Sequence, residues 1–306
     1  MAKQIPMVYK DEKTLILTSI SKNSEQQFIE WLVSLRTLGN YHGKVMALDY
    51  GIGNRAKMLA TKLGARLYPC KIPTAKYGIV NYRFVDMLPI IEQHYRQHKI
   101  AHFDADIWFT GEINELFNEV DDVLGCLYAV ECRRYLMFGG GPQDSQTLKR
   151  NVAKVDQVIR RCKGHINGGF VAARYQPFID KLSAMRTTFA TNGWDLNAWG
   201  VNQFMLNVLF DFDRDRANGN RWNCSIKEVI KKDGEFYHIK NSEMLLQNGH
   251  WILDKRKRIR LEKVIGLHLL GPKKTECFRK YHPGLFYRII SDIDNHQSND
   301  DKTSGK

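Results

Sequence analysis

The first hundred residues alternate apolar runs with segments whose apolar positions recur every three or four residues. Thr14-Leu15-Ile16-Leu17-Thr18-Ser19-Ile20 predicts a buried strand. Ser24 opens a helix to Leu38, with Phe28, Trp31, Leu32 and Leu35 on one face and Gly39 as its stop. Lys44 to Asp49 predicts a second strand, and Asn54 to Leu63 a helix closed by Gly64. Ala65 to Cys70 is a third strand, Tyr77 to His94 a helix, and Lys99 to Phe109 a fourth strand. This alternation predicts an α/β fold, a mostly parallel twisted sheet of Rossmann-like kind with helices on both faces. Ligands of such sheets bind beyond the carboxyl ends of the strands.

Beyond residue 110 the rhythm changes. Leu124 to Glu131 predicts a strand, and Phe138-Gly139-Gly140-Gly141-Pro142 a glycine loop without a Walker pattern. Ser145 to Cys162 predicts a basic helix. His165 to Arg174 joins a turn, containing Asn167, Gly168 and Gly169, to an apolar strand. Paired glycines let a backbone approach a ligand closely, and Asn167 offers a donor and an acceptor to sugar hydroxyls; a plain tight turn explains them equally well. Trp194 to Phe210 contains an amphipathic helix whose polar face carries Asn202 and Gln203, by itself an ordinary surface helix. Val264 to Leu270 is an apolar strand ending near His268, followed by Gly271-Pro272-Lys273-Lys274. The polar tail from Asp294 to Lys306 predicts disorder.

The sharpest candidate chemistry lies in Ile100-Ala101-His102-Phe103-Asp104-Ala105-Asp106-Ile107-Trp108-Phe109. If this segment is one extended strand, the i, i+2 spacing puts both carboxylates on one face. Two such charges at a buried strand end need compensation, and a hard divalent cation supplies it. Asp-x-Asp alone is a common chance pattern on solvated turns, so its apolar setting is what favours a metal site. A histidine at the end of an apolar strand is more often a satisfied core residue than a ligand, but the neutral imidazole of His268 can complete a manganese site begun by Asp104 and Asp106. Gly271 then gives a tight turn from which Lys274 reaches a metal-bridged diphosphate.

Composition narrows the classes. The 306 residues hold 43% hydrophobic positions, enough for one large domain. No apolar run approaches the roughly eighteen residues of a membrane span, and the first ten residues lack a signal-peptide core. The six cysteines are scattered without a Cys-x-x-Cys pair, which argues against a zinc ribbon or disulfide scaffold and fits a reducing cytoplasm. Cys126 and Cys132 read as buried small hydrophobes. The formal charge of +13 calls for an anionic partner. It concentrates in Lys255-Arg256-Lys257-Arg258 with Arg260 and Lys263, and in the basic, aromatic segment from Arg279 to Ile290. Such a segment suits docking on an anionic membrane surface, against the alternative that Leu285, Phe286 and Ile289 pack on the body while the charges are solvated.

Taken in order, these motifs resemble family 8 glycosyltransferases, the relatives of glycogenin and bacterial lipopolysaccharide galactosyltransferases. His268-Leu269-Leu270-Gly271-Pro272-Lys273-Lys274 matches the family's His-x-x-Gly-x-x-Lys, and Asp104-Ala105-Asp106 its metal-binding Asp-x-Asp. Tyr82-Arg83-Phe84 through Leu88-Pro89 is similar to its Tyr-x-Arg helix, whose arginine supports the nucleotide-sugar site. Asn167-Gly168-Gly169 resembles its Asn-[Ser/Ala]-Gly strand, and Asn202-Gln203 with Asn207 its Asp-Gln-Asp-x-x-Asn helix. Asn202 stands where the family has Asp, and Thr275-Glu276 replaces the usual Pro-Trp. The loop from Ser19 to Asn23 lacks the family's nucleotide-contacting aspartate, leaving Ser19 and Asn23 as its polar contributors.

The resemblance implies a GT-A domain over residues 1–275; composition marks off a basic and aromatic segment over 276–293 and a disordered tail over 294–306. It implies a manganese (or magnesium) cofactor, a nucleotide-diphosphate sugar donor, UDP-sugar foremost, and a glycan or lipid-linked acceptor such as those of lipopolysaccharide biosynthesis. Asp104, Asp106 and His268 become metal ligands. Arg83, Asn167, Gly168, Gly169, Gly271, Ser19 and Asn23 become substrate contacts, with Asp104 and Lys274 shared between roles. Lys274, Gln203 and Asn202 become catalytic. Retaining members place an amide near the anomeric carbon, and Gln203 is the matching residue; an inverting enzyme would need a carboxylate base, for which Asp195 is the candidate. The implied setting is cytoplasmic, peripheral to the inner face of a membrane, with no nucleic-acid partner. The rival readings are a metal-dependent nucleotidyltransferase or sugar-nucleotide hydrolase using the same aspartates, a basic nucleic-acid-binding protein, and a catalytically dead binding module.

Overall fold

A computed structural model of the chain describes residues 13–75, 77–120, 123–128, 146–162, 165–191 and 200–209, with short strands and single positions beyond. Strand β1 (Thr14–Ser21) leads through a 3-10 turn to α1 (Glu25–Thr37), followed by β2 (Lys44–Tyr50), α2 (Asn54–Lys62), β3 (Ala65–Pro69), α3 (Gly78–His94) and β4 (Lys99–Phe103). Each lies within a residue or two of its predicted bounds, except the end of the fourth strand. The helix stops are local chemistry. At Gly39 a Cβ would lie 2.6 Å from the Leu35 carbonyl oxygen, so only glycine can close α1 there.

β5 (Ile107–Phe109), α4 (Leu116–Glu119), β6 (Val123–Tyr128), α5 (Gln146–Cys162), β7 (His165–Arg174), α6 (Tyr175–Thr191) and α7 (Val201–Leu209) complete the body. Further short strands are β8 (Cys224–Ser225), β9 (Val229–Lys232), β10 (Glu235–Lys240), β11 (Leu245–Gln247), β12 (His250–Ile252), β13 (Arg260–Lys263) and β14 (Gly266–His268). The main sheet has the order β3-β2-β1-β4-β7-β6. β1 to β4 run parallel, and β7 runs antiparallel to both β4 and β6.

Both faces of this sheet are covered, which is why its strands read as continuous apolar runs. Ile16, Ala47, Ala101, Phe103 and Phe170 face one core with Phe28, Trp31 and Leu35 of α1 and Ala56 of α2. Leu15, Leu17, Met46, Leu48, Ile100 and Val171 face the other, with Phe84 and Met87 of α3, Phe178 of α6 and Phe204 of α7. The mostly parallel α/β architecture with helices on both faces is therefore present. Ile290, from the C-terminal segment, packs against the α1-side core, while Tyr287 is 58% exposed. The boundary at 275 and the tail from 294 lie outside the described residues.

Two sequence expectations are corrected. The span from Lys99 to Phe109 is not one strand. The backbone N–H of Asp104 donates to the Gly169 carbonyl (2.8 Å), the last link along β4. The N–H of Ile107 then donates to the Asp104 carbonyl (3.1 Å) and closes a turn. β5 departs into a separate three-stranded sheet, β5-β14-β8. The two aspartates thus sit on a turn between sheets, and the argument from one face of an extended strand does not apply. The second correction concerns Asn167-Gly168-Gly169, which belongs to the ten-residue strand β7 rather than to a turn. Its pairing with β6 jumps from Gly125 opposite Val171 to Cys126 opposite Asn167. Gly168, Gly169 and Phe170 bulge out of that ladder.

Candidate active site

The turn bearing Asp104 and Asp106 lies at the carboxyl end of β4, where a parallel sheet presents its ligands. Helix α3 crosses beside it, and Arg83 reaches out from a site only 7% exposed. One terminal nitrogen of Arg83 is ion-paired with an Asp104 carboxylate oxygen, and the other donates to the Gly168 carbonyl (3.2 Å). The fork of a guanidinium suits such a double task, which an ammonium could not copy. Its Nε is buried without a partner among the described residues.

Helix α7 supplies the opposite wall. Asn202 and Asn207 are 2% and 1% exposed, so the polar face expected on a surface is turned inward. The Gly168 N–H donates to Gln203 Oε1 (3.2 Å), which fixes the orientation of that amide. Three side chains converge over Gly168. A Cβ placed there would lie 3.5 Å from Leu206 Cδ1, 3.6 Å from Asn202 Nδ2 and 3.7 Å from Arg83. Arg83, Asp104, Gly168, Asn202 and Gln203, five of the sequence-expected residues, therefore share one locus.

Ser19 is half-buried near the end of β1, opposite Leu48 of β2, and Asn23 is exposed in the following turn. Both lie at the carboxyl edge of the sheet. Gly169 continues the β7 ladder to Asp104. His268 lies on β14 directly opposite Ile107, the residue after Asp106. Backbone pairing thus brings the histidine position beside the aspartate turn. The side chains of Asn167 and His268, and the whole of Gly271, Lys274 and Asp195, lie outside the described residues. So do the side chains of Cys126 and Cys132, the glycine loop, and the basic run from Lys255.

Several polar residues at this end of the sheet were missed. Asp49, 3% exposed near the end of β2, accepts from the N–H groups of Gly51 and Ile52 (both 2.8 Å) and pairs with Lys57 (3.1 Å). Tyr50 donates to Asp86 of α3 (2.6 Å). Burial raises the Asp86 pKa, opposed by that hydrogen bond. Burial also pushes the nearby Cys70 thiol up to about 11. Aspartate after an apolar run at 45–48 was a readable signal of the same kind as Asp104. Asn81, wholly buried on α3, carried none.

On the sheet beneath, His102 of β4 is fully buried against Phe84, at 4.7 Å between ring centres, with both nitrogens unpartnered among the described residues. Burial and then the charge of Arg83 hold its pKa well below the usual value, so the ring is neutral.

The sheet order, the crossing helices and a site at the strand ends define a GT-A-like α/β fold. The crystal structure of the galactosyltransferase LgtC in complex with donor and acceptor sugar analogs is similar over 88% of this chain and 95% of that one, with a TM-score of 0.51 and 12% identity. That likeness establishes the fold. The apo form of the glycosyltransferase GlyE from Streptococcus pneumoniae TIGR4 matches 93% of this chain and 64% of its own, with a TM-score of 0.49 and 14% identity. The bifunctional glycosyltransferase WbbM matches 71% of this chain and 40% of its own, with a TM-score of 0.47 and 13% identity. The chain thus spans less than two thirds of the length of WbbM and of GlyE. No family model matches the sequence, and neither does any curated protein. Among the described residues, no helix is long and apolar enough to cross a membrane.

Proposed function

We propose that this protein is a metal-dependent glycosyltransferase. In this reading it moves a hexose from a nucleotide-diphosphate sugar, UDP-sugar foremost, to a glycan or lipid-linked acceptor with retention at the anomeric carbon. The observation that carries the reading is the cluster at the carboxyl end of β4, where Arg83 and Gln203 bond the Gly168 peptide, Arg83 pairs with Asp104, and Asn202 lies alongside. The GT-A-like fold and the ordered motifs support it.

The donor set suits a divalent cation. Asp104 and Asp106 offer oxygens from one turn, and β14 sets His268 beside that turn in the backbone. Carboxylates with one imidazole favour manganese or magnesium. A cation held there would act as a Lewis acid toward the leaving diphosphate. The chain's own groups do the rest. Arg83 fixes Asp104 in place and adds permanent positive charge where negative charge grows. Lys274 and Gly271, assigned on the sequence pattern, would neutralise and cradle the diphosphate. Gln203, held by the Gly168 N–H, presents its amide toward the sugar, and Asn202 flanks it. Neither is a carboxylate, which suits retention without an enzyme nucleophile. Asn167, Gly169, Ser19 and Asn23, assigned on the sequence pattern, would contact the donor.

We place the protein in the cytoplasm, with the basic C-terminal region docking it on the inner face of a membrane beside a lipid-linked acceptor. Tyr287, exposed while its neighbour Ile290 is anchored on the core, is the aromatic contact in that reading.

Calorimetric titration with UDP, with and without manganese, tests the donor site. Manganese-dependent binding by the native protein and its loss in Asp106→Ala is the expected result. Binding of neither UDP, GDP nor CDP would overturn the reading. Product analysis with bound UDP-sugar then separates transfer from hydrolysis, since a hydrolase would release free sugar at the same rate without acceptor.

A further inference from the structure

We infer that Asn81, a residue outside every motif, is a positioning residue that sets Gln203 against the Gly168 peptide. The inference rests on the transferase reading for its kinetic consequence but not for its geometry. Asn81 lies on α3, two residues before Arg83, and is fully buried. Its Oδ1 accepts the backbone N–H of Asn202 (3.2 Å), near the start of α7. Helix starts leave their first N–H groups without intrahelical acceptors, and a side-chain oxygen from a neighbouring helix fills that role here. The preceding Gly200 has φ +84°, and its carbonyl accepts the Phe204 N–H (2.9 Å), so the helix begins at this point.

These bonds close a circuit. Asn81 holds the backbone of Asn202, and the next residue, Gln203, holds the Gly168 N–H. Arg83 holds the Gly168 carbonyl and the Asp104 carboxylate. One short stretch of α3 thereby fixes both the Gln203 amide and the arginine that faces the aspartate turn. Loss of the Asn81 oxygen frees the first turn of α7 and lets Gln203 drift. A displacement near 1 Å in such a constellation costs on the order of a hundredfold in rate while leaving donor contacts elsewhere intact.

The test combines kinetics with amide hydrogen exchange. Asn81→Leu removes the oxygen at similar volume, and Asn81→Asp restores an acceptor at the same place. For Asn81→Leu we expect kcat to fall at least about tenfold with the donor KM within about twofold, and near-native turnover for Asn81→Asp. The Asn202 and Gly168 amides should exchange faster in Asn81→Leu and not in Asn81→Asp. If Asn81→Leu does not fold, Asn81→Ala takes its place. Native kcat in the variant lacking the oxygen, unchanged exchange at Gly168, or equal damage by Asn81→Asp would overturn the inference. Exchange that follows the acceptor in a protein inactive on every nucleotide sugar would support the positioning and overturn the transferase reading instead.

Discussion

Arg83 is a charge held for what it does to its neighbours. Its side chain is 9% exposed and that of Asp104 22%. Replacement by methionine leaves the Asp104 carboxylate and the Gly168 carbonyl without their partner. Because Asp104 can rehydrate in part, the expected destabilisation is about 2 kcal/mol rather than the larger figure for a fully buried pair. Urea unfolding of Arg83→Met measures it. Arg83→Lys keeps the charge but not the fork, and turnover should fall at least about tenfold in a transfer assay.

His102 gives a sign that can be checked. The native ring is neutral and its pKa is depressed, whereas the unfolded ring takes up a proton below roughly pH 6.5. Its contribution to stability is therefore complete above that value and lost as pH falls toward the folded pKa. One proton gives a slope of at most about 1.4 kcal/mol per pH unit. His102→Leu should lose less stability than the native protein between pH 7 and 5, with urea midpoints as the measure. Other titrating groups are common to both proteins, so the difference isolates this ring.

At the scale of elements, much of the body was legible. The faces of α1 and the strands β1 to β3 followed from apolar period and glycine stops, because local propensity and burial point the same way there. The break after Phe103 was not legible. Ile107-Trp108-Phe109 is as apolar as the strand before it, and only pairing with the distant β14 tells that it belongs elsewhere. The bulge at Gly168 was hidden for a related reason: two glycines serve a turn or a strand irregularity equally well. The inward face of α7 was missed because asparagine on a helix signals solvent unless buried partners exist, and those come from α3 and β7. Arg83, Gln203 and Asp104, which meet around Gly168, were singled out by motif. Asn81 was not, since its role depends on a helix more than a hundred residues away. Gly200→Ala probes this scale. An alanine at φ +84° should destabilise by about 1 kcal/mol, seen as a lower urea midpoint with an unchanged slope.

Across the whole molecule, cohesion on the α1 side depends on a second buried arginine far from the site. Arg36, 3% exposed, donates to the carbonyls of Leu63, Tyr41, Gly43 and Gly64 at 2.7 to 3.1 Å. It joins α1, the end of α2 and the loop entering β2. Arg36→Met should lower stability by about 3 kcal/mol, since several buried carbonyls lose charge-assisted donors together. In the transferase reading, donor affinity measured well below the unfolding midpoint should stay native, because these carbonyls lie at the amino ends of β2 and β3, away from the carboxyl ends that carry the candidate site. The formal +13 adds a long-range pull toward polyanions that the neutralised pair at Arg83 and Asp104 does not share.

The turn between β4 and β5 also imposes a timetable. Phe109 pairs with Gly266, so the second support of the aspartate turn is made late as the chain leaves the ribosome. The six-stranded sheet is complete in sequence by Arg174, well before that partner exists. A nascent chain can therefore hold a finished scaffold around an unfinished centre, and long-range pairing of this kind is slow to close. If the transferase reading holds, nucleotide binding should appear after the sheet's own folding signal in a synthesis time course.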